Sequence, residues 1–349
     1  MPLRRRLRAR VRAIPWAALA FSAVAFAPAM TSAANQEPAG LNLGATSFYD
    51  GFGRTEEGFT YLNYLQYAMA RSINDDNAKP LPYFNDPKID VFLFINQLVY
   101  ILPEKLFDDS ARLGIDFILP LVAFNTSFAP PPPSPGFKLT DNGVGFGDLT
   151  FGPILQFKPI IAGERPVFSN RFEFDVIAPT GAYDPNKDLN QGANFASLNP
   201  YWAATVLPLA HLEVSARLHY LYNFKNYRPA LGRLYSLSFP PTVKDAQAGQ
   251  AAWVNFTVSY EFLQGVHVGA NGYYFQQFNL DLYEEQDGSS NSGMQRYSDL
   301  GQAVIFAIGP GAFFEIGQHD KLYANVYFQP YVRNRPQGDV FNLHYVHGF

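Results

Sequence analysis

Cysteine is absent from all 349 residues, so neither disulfides nor thiolate metal sites can hold this chain together. Charge is scarce: 16% of residues are charged, against about 25% in an ordinary soluble domain. Long apolar runs are missing too. Beyond residue 34 nothing reaches the roughly 18 residues of a helical membrane span, and FILPLVAF (117–124) is among the longest stretches. What stands in their place is aromatic, with 32 Phe and 21 Tyr in a chain that is 16% aromatic. An aromatic, glycine-containing, weakly charged chain without long apolar helices has the composition of an outer-membrane β-barrel.

Residues 1–34 are set apart from the fold. MPLRRRLRARVR is basic, AIPWAALAFSAVAFAPAM is apolar, and TSAA offers small residues for cleavage near Ala34. This is the pattern of a bacterial secretory signal peptide. Pro15 and Pro28 argue against a spanning helix, and Arg4, Arg5 and Arg6 do not continue into a twin-arginine motif. Its removal takes away six arginines and no acid, shifting the net charge from -4 to -10. Nucleic acid is thereby excluded as a natural partner.

A strand sends alternate side chains to opposite faces, so odd and even positions can be read separately. In HLEVSARLHYLYN the even positions are Leu212, Val214, Ala216, Leu218, Tyr220 and Tyr222, and the odd ones include His211, Glu213, Ser215, Arg217 and His219. One face suits lipid and the other water. RFEFDVIAP sets Phe172, Phe174 and Val176 against Arg171, Glu173 and Asp175, and KLYANVYFQPYVR sets Leu322, Ala324, Val326 and Phe328 against Asn325, Gln329 and Arg333. A helix at 3.6 residues per turn would spread these charges around its whole circumference.

Such runs predict an all-β protein, a closed antiparallel transmembrane barrel of twelve strands near 58–70, 88–101, 111–121, 147–158, 169–179, 199–209, 211–223, 251–263, 265–277, 300–315, 321–333 and 338–349. Long connections alternate with short ones, as outer loops alternate with periplasmic turns in such barrels; only 334–337 breaks the alternation. Residues 58–349 are thus the barrel, and 35–57 a Gly-rich periplasmic lead-in or lumen plug. The predicted location is the bacterial outer membrane, with its lipid as one partner.

Several local patterns invite a chemical reading. Asp184, Asn186, Asp188 and Asn190 alternate like the opening of a calcium loop, but Leu189 replaces the required Gly and Phe195 the bidentate Glu, so a loop of Asx turns is the plainer reading. His211, Ser215 and His219 share a strand face, yet residues four apart on a strand are about 13 Å apart, too far for either His to activate the Ser. DNGVGFGDLTFG lacks phosphate-loop spacing, and PPPPSP (130–135) reads as a stiffened loop. No metal set, cofactor motif or catalytic residue is identified.

The segments GVGFGDLTFGPIL, VIAPTGAYDP, GANFASLNPYWAAT, GANGYYFQQF, AIGPGAFFE and RNRPQGDVFNLHYVHGF, in this order, resemble the phenol meta-pathway degradation or transporter family of outer-membrane proteins. The matching positions are Gly145, Gly147, Asp148, Pro179, Thr180, Gly181, Tyr183, Asn194, Gly309 and Pro310. The resemblance implies a barrel associated with breakdown of aromatic or other hydrophobic compounds, and brings no catalytic residues. The expected function is passive uptake of small hydrophobic or aromatic solutes. By strand parity the lumen-facing residues are Arg171, Glu173, Asp175, His211, Glu213, Arg217, His219, Asn271, Asn325, Gln329 and Arg333, interleaved with Tyr273, Tyr323, Tyr327 and Tyr331. An enzyme acting on membrane lipid and a non-conducting structural or adhesive barrel are the alternatives.

Phe341, Leu343, Tyr345, His347 and Phe349 alternate on one face up to a terminal aromatic, resembling the signal by which the bacterial barrel-assembly machinery recognises its substrates. Deleting Phe349, or changing Phe349→Asp, is therefore expected to lower outer-membrane insertion. Unchanged heat-modifiable mobility and unchanged surface exposure in either variant would contradict this role.

Overall fold

A sheet with one apolar and one polar face cannot leave an open edge in hydrocarbon, and this chain closes on itself. Its computed structural model describes residues 38, 41–82, 84–129, 138–230, 243–286, 293–297 and 301–349. The predicted signal peptide 1–34 and the tract 130–135 lie outside the described residues. Twelve antiparallel strands form the barrel: β1 (Gly58–Ile73), β2 (Lys88–Leu106), β3 (Ala111–Ser127), β4 (Leu149–Phe157), β5 (Arg165–Ala178), β6 (Ser197–Val206), β7 (Leu212–Asn223), β8 (Ala251–Leu263), β9 (Val266–Gln277), β10 (Val304–Ile316), β11 (Asp320–Arg333) and β12 (Pro336–Gly348). Among the described residues there is no helix.

Each strand pairs with its neighbours in sequence, and β1 pairs with β12 from Thr60↔Gly348 to Ile73↔Pro336, which closes the ring. At the rim with short turns, 264–265 and 317–319 join neighbouring strands, and the chain enters β1 and leaves β12 there. The opposite rim carries the long connections and the tight 334–335 turn. Above it, Val243–Gln247, Leu282–Gln286 and Gly293–Tyr297 form a separate three-stranded sheet.

The period-two pattern explains the two faces. On β7, Val214, Leu218 and Tyr220 are exposed on the outside, while Glu213, Ser215, Arg217, His219 and Leu221 are buried inside. Phe172, Phe174 and Trp202 continue the lipid-facing belt on β5 and β6, with Phe172 and Trp202 stacked 6.2 Å apart.

One predicted alternation fails. Phe306 pairs with Tyr331 and Ile308 with Phe328, so Ala307 alone faces the extra residues Gln329 and Pro330 of β11. Pro330 has no N–H for the ladder and sits in this bulge. Parity flips beyond it: Val332 turns inward and is fully buried, while Tyr331 is exposed on the outer face. Arg333 is carried to the same outer face, 3.8 Å from Asp76 in the loop after β1. The placement of Tyr331 and Arg333 in the lumen is thereby corrected.

Leu218 lies mid-strand on the lipid face. Leu218→Arg is expected to destabilise the barrel by about 2–4 kcal/mol if the position lies near the bilayer midplane, and Leu218→Phe to change it little. The midpoint of denaturant unfolding in lipid vesicles checks this; equal midpoints would contradict the assigned face.

The barrel lumen as candidate functional site

The inward side chains form two layers. Toward the long loops they are largely apolar: Ile177, Leu221, Trp253, Phe275, Ile305 and Val332 are buried there, with Tyr273 and Tyr327 set edge to face at 5.4 Å. Toward the short turns the wall becomes polar and charged, with Glu213, Ser215 and Arg217 on β7, Arg171, Glu173 and Asp175 on β5, and Ser259 and Asn271 on β8 and β9.

Residues 41–53 run through both layers. Leu41 and Leu43 pack against the apolar cluster. The Asn42 carbonyl accepts from Trp253 Nε1 at 2.9 Å and Asn255 Nδ2 at 2.8 Å, and Gly44 N–H donates to Asn255 Oδ1 at 3.0 Å. The Gly44 carbonyl accepts from Tyr327 O–H and Asn342 Nδ2, each at 2.8 Å. Gly44 has φ +73, and a Cβ there would meet the Tyr273 and Tyr327 rings at 2.9 Å, so both backbone and space require glycine. Farther down, Asn271 Nδ2 donates to Asn325 Oδ1 at 2.7 Å, and Asn325 Nδ2 to Ser47 Oγ at 3.0 Å. Phe48 packs on Phe313 and Tyr323.

An ion pair anchors this inner segment. Asp50 receives Arg217 through two charge-assisted hydrogen bonds, with Nε 2.8 Å from Oδ2, and Arg171 Nη2 stands 3.6 Å from Oδ1. The Arg217 guanidinium also lies over the Tyr201 ring, 4.5 Å from its centre. Tyr49 N–H donates to Glu213, which also accepts from Ser215 and Ser259. Gly51 N–H donates to Thr205 Oγ1 at 2.9 Å, and its carbonyl accepts from Ser169 Oγ at 2.9 Å. Between the segment and the short-turn rim is a cavity of about 420 Å³, bounded by Phe48, Phe52, Leu62, Tyr64, Arg171 and Tyr323 among others.

Arg171, Glu173, Asp175, Glu213, Arg217, His219, Asn271, Tyr273, Tyr323, Asn325, Tyr327 and Gln329 all point into this interior. His211 does not: it lies in the turn before β7, is 56% exposed, and pairs with Glu261 at 3.1 Å. Ser215 is bonded to Glu213 and Thr205, not to either histidine, and His219 stacks on Trp253 at 4.3 Å. Neither histidine is therefore placed to activate Ser215.

The lumen-facing set read from the sequence omits Asp50, Asp116, Gln156 and His344, which are all buried inside. The Asp116 and Gln156 signals were present as polar residues on the face opposite the large apolar side chains of their strands. Asp50 had no such signal, because its partners Arg171 and Arg217 lie more than a hundred residues away.

The loop residues Gly147, Asp148, Thr180, Gly181 and Asn194 assemble at the base of the outer loops. Asp148 accepts from Gly181 N–H and Ala193 N–H, each at 2.8 Å, and Thr180 Oγ1 accepts from Leu149 N–H at 2.9 Å. Burial raises the Asp148 carboxyl above its ordinary value, while the backbone donors of Ala193, Gly181 and Thr180 pull it down. Asn194 Nδ2 donates to Asn226 Oδ1 at 2.8 Å. Along 184–190, Asp184 Oδ1 caps Asn186 and Asp188 Oδ2 caps Thr140, so these oxygens serve turns.

The family described as "Putative MetA-pathway of phenol degradation" matches residues 62–345. No curated protein matches the sequence. Among solved structures, the chain is similar to an outer membrane channel from Pseudomonas putida F1, at 18% identity and a TM-score of 0.64, over 86% of this chain and 98% of that one. It is more distantly similar to the transport unit of the autotransporter AIDA-I from Escherichia coli, at 10% identity and a TM-score of 0.44, over 86% and 93%.

A Cβ on Gly181 would lie 2.7 Å from the Gly147 carbonyl carbon and 2.8 Å from Gly192 Cα, both backbone atoms that cannot rotate away. Gly181→Ala is expected to cost about 1–3 kcal/mol by overpacking and to loosen the outer loops. Limited proteolysis of the intact barrel checks it; cleavage at the wild-type rate would contradict it.

Proposed function

The chain belongs to the MetA-pathway phenol-degradation family, and from that premise we propose that it is a passive outer-membrane channel for uptake of small hydrophobic or aromatic compounds. The observation that carries this reading is the layered lumen: an aromatic, apolar upper half above a cavity of about 420 Å³ with both apolar and charged walls. A dissolved aromatic molecule gains from ring contacts in the first, and the polar groups of the second keep a path wet. Flux follows the concentration gradient set by consumption inside the cell. The lumen-lining tyrosines and charges form the solute path, and residues 41–53 act as its plug. Insertion depends on the barrel-assembly machinery reading the last strand.

The reading as a non-enzyme is supported by Ser215, which bonds to Glu213 and Thr205 and to neither histidine.

The test is conductance and uptake together. In planar bilayers the intact protein is expected to open rarely, and a variant lacking 41–53 to conduct more. The paired change Asp50→Asn with Arg217→Gln should move in the same direction, since it releases the segment without leaving one buried charge unpaired. Cells without the protein should take up dilute aromatic substrates more slowly. If no form conducts, and uptake is unchanged across aromatic and aliphatic substrates, the structural alternative replaces the channel.

A further inference from the structure

Asp116 on β3 and Glu173 and Asp175 on β5 meet inside the barrel, with one carboxylate oxygen from each lying within 4.8 Å of the others. The strand between them makes this possible. Gly152 of β4 is the register partner of Asp116, and a Cβ on it would come within 2.1 Å of the Phe174 carbonyl, so β4 puts no side chain between β3 and β5 here. The three acids are 0%, 4% and 4% exposed.

Their hydrogen bonding is incomplete in one consistent way. Gln97 Nε2 donates to Asp116 Oδ2 at 2.7 Å, and Arg171 Nε stands 3.4 Å from Glu173 Oε2. Asp116 Oδ1, Glu173 Oε1 and Asp175 Oδ1 are buried with no hydrogen-bond partner. A buried carboxylate oxygen without a partner is costly, and three facing one another repel as well. Charge is unbalanced to match: Asp50, Asp116, Glu173, Asp175 and Glu213 stand against Arg171 and Arg217, an excess of three negative charges.

We infer that Asp116, Glu173 and Asp175 bind one calcium ion inside the barrel. An all-oxygen, all-carboxylate set selects a hard cation over zinc or copper. The three oxygens lie within 4.8 Å of one another, and calcium's flexible shell of six to eight oxygens at about 2.3–2.6 Å accepts a wider range of such spacings than the rigid octahedron of magnesium at about 2.0–2.1 Å. The ion offsets most of this negative charge and ties β3 to β5 across β4. Arg171 and Arg217 are then free to hold Asp50. Glu173 and Gln97 border the 420 Å³ cavity at the short-turn rim, which gives the ion and its remaining water ligands a way in. The site was not legible as a metal motif because its ligands are about sixty residues apart on non-adjacent strands. It is separate from the 184–190 loop.

The test is calorimetric titration of the full-length, chelator-stripped protein in detergent with calcium chloride. One ion per barrel and a higher unfolding temperature with calcium are expected, and Asp116→Asn with Asp175→Asn should abolish saturable binding while heat-modifiable mobility reports that the variant is folded. Glu173→Gln alone should weaken binding by about 10–100-fold or more, the loss that even an indirect metal partner causes. Changing Asp184→Asn with Asp188→Asn should leave it intact. Absence of calcium uptake by the wild type, with stability rising only as pH falls, would mean that the acids share protons and would overturn the site, as would unaltered binding in the double variant or in Glu173→Gln.

Discussion

Hydrocarbon offers no hydrogen-bond partner to a peptide group, and that constraint governs the rest of this molecule. Each spanning strand needs a neighbour on both sides, so β12 must return to β1, and the thirteen-residue pairing from Thr60↔Gly348 to Ile73↔Pro336 satisfies both edges. Once the ring closes, the alternation of side chains sends one set to lipid and the other into an enclosed interior. The outside is solved by apolar residues alone. The inside is harder, because polar side chains there have left bulk water.

Residues 41–53 supply much of what the interior lacks. Their backbone offers carbonyls to Trp253, Asn255, Tyr327 and Asn342, and their Asp50 supplies the counter-charge for Arg217. The polar lumen and the chain that fills it are therefore one hydrogen-bonded unit. A buried ion pair of this kind is weak evidence for stability in itself, but removing either partner leaves a charge stranded, at a cost of about 3–5 kcal/mol. The segment is held by position-specific polar contacts, with Leu41 and Leu43 adding apolar packing at its upper end.

The twelve strands and their faces were legible because period-two alternation is a local property of the sequence. Tyr331 and Arg333 were misplaced for an equally local reason: Pro330 was read as one more strand position, although a proline within a ladder signals an edge or a bulge. His211 followed strand parity into the turn, where parity no longer applies. Asp50 lies outside any strand and could not be assigned from parity, and although parity turns Asp116 inward, its role depends on partners from other strands. The GFGD and PTG segments carried the family resemblance, and the structure shows why they meet: Gly181 and Ala193, from two turns of the same outer loop, share the Asp148 carboxylate as their common acceptor.

The inner segment also imposes an order in time. Gly44 is made early, yet the donors to its carbonyl, Tyr327 and Asn342, come 283 and 298 residues later. Its seat does not exist until β11 and β12 have taken their places. A chain halted before its last strand lacks the Asn342 donor of that seat, and only a finished one can hold the segment by its full set of bonds. Residues 41–53 thus act as a latch that only the completed ring engages in full.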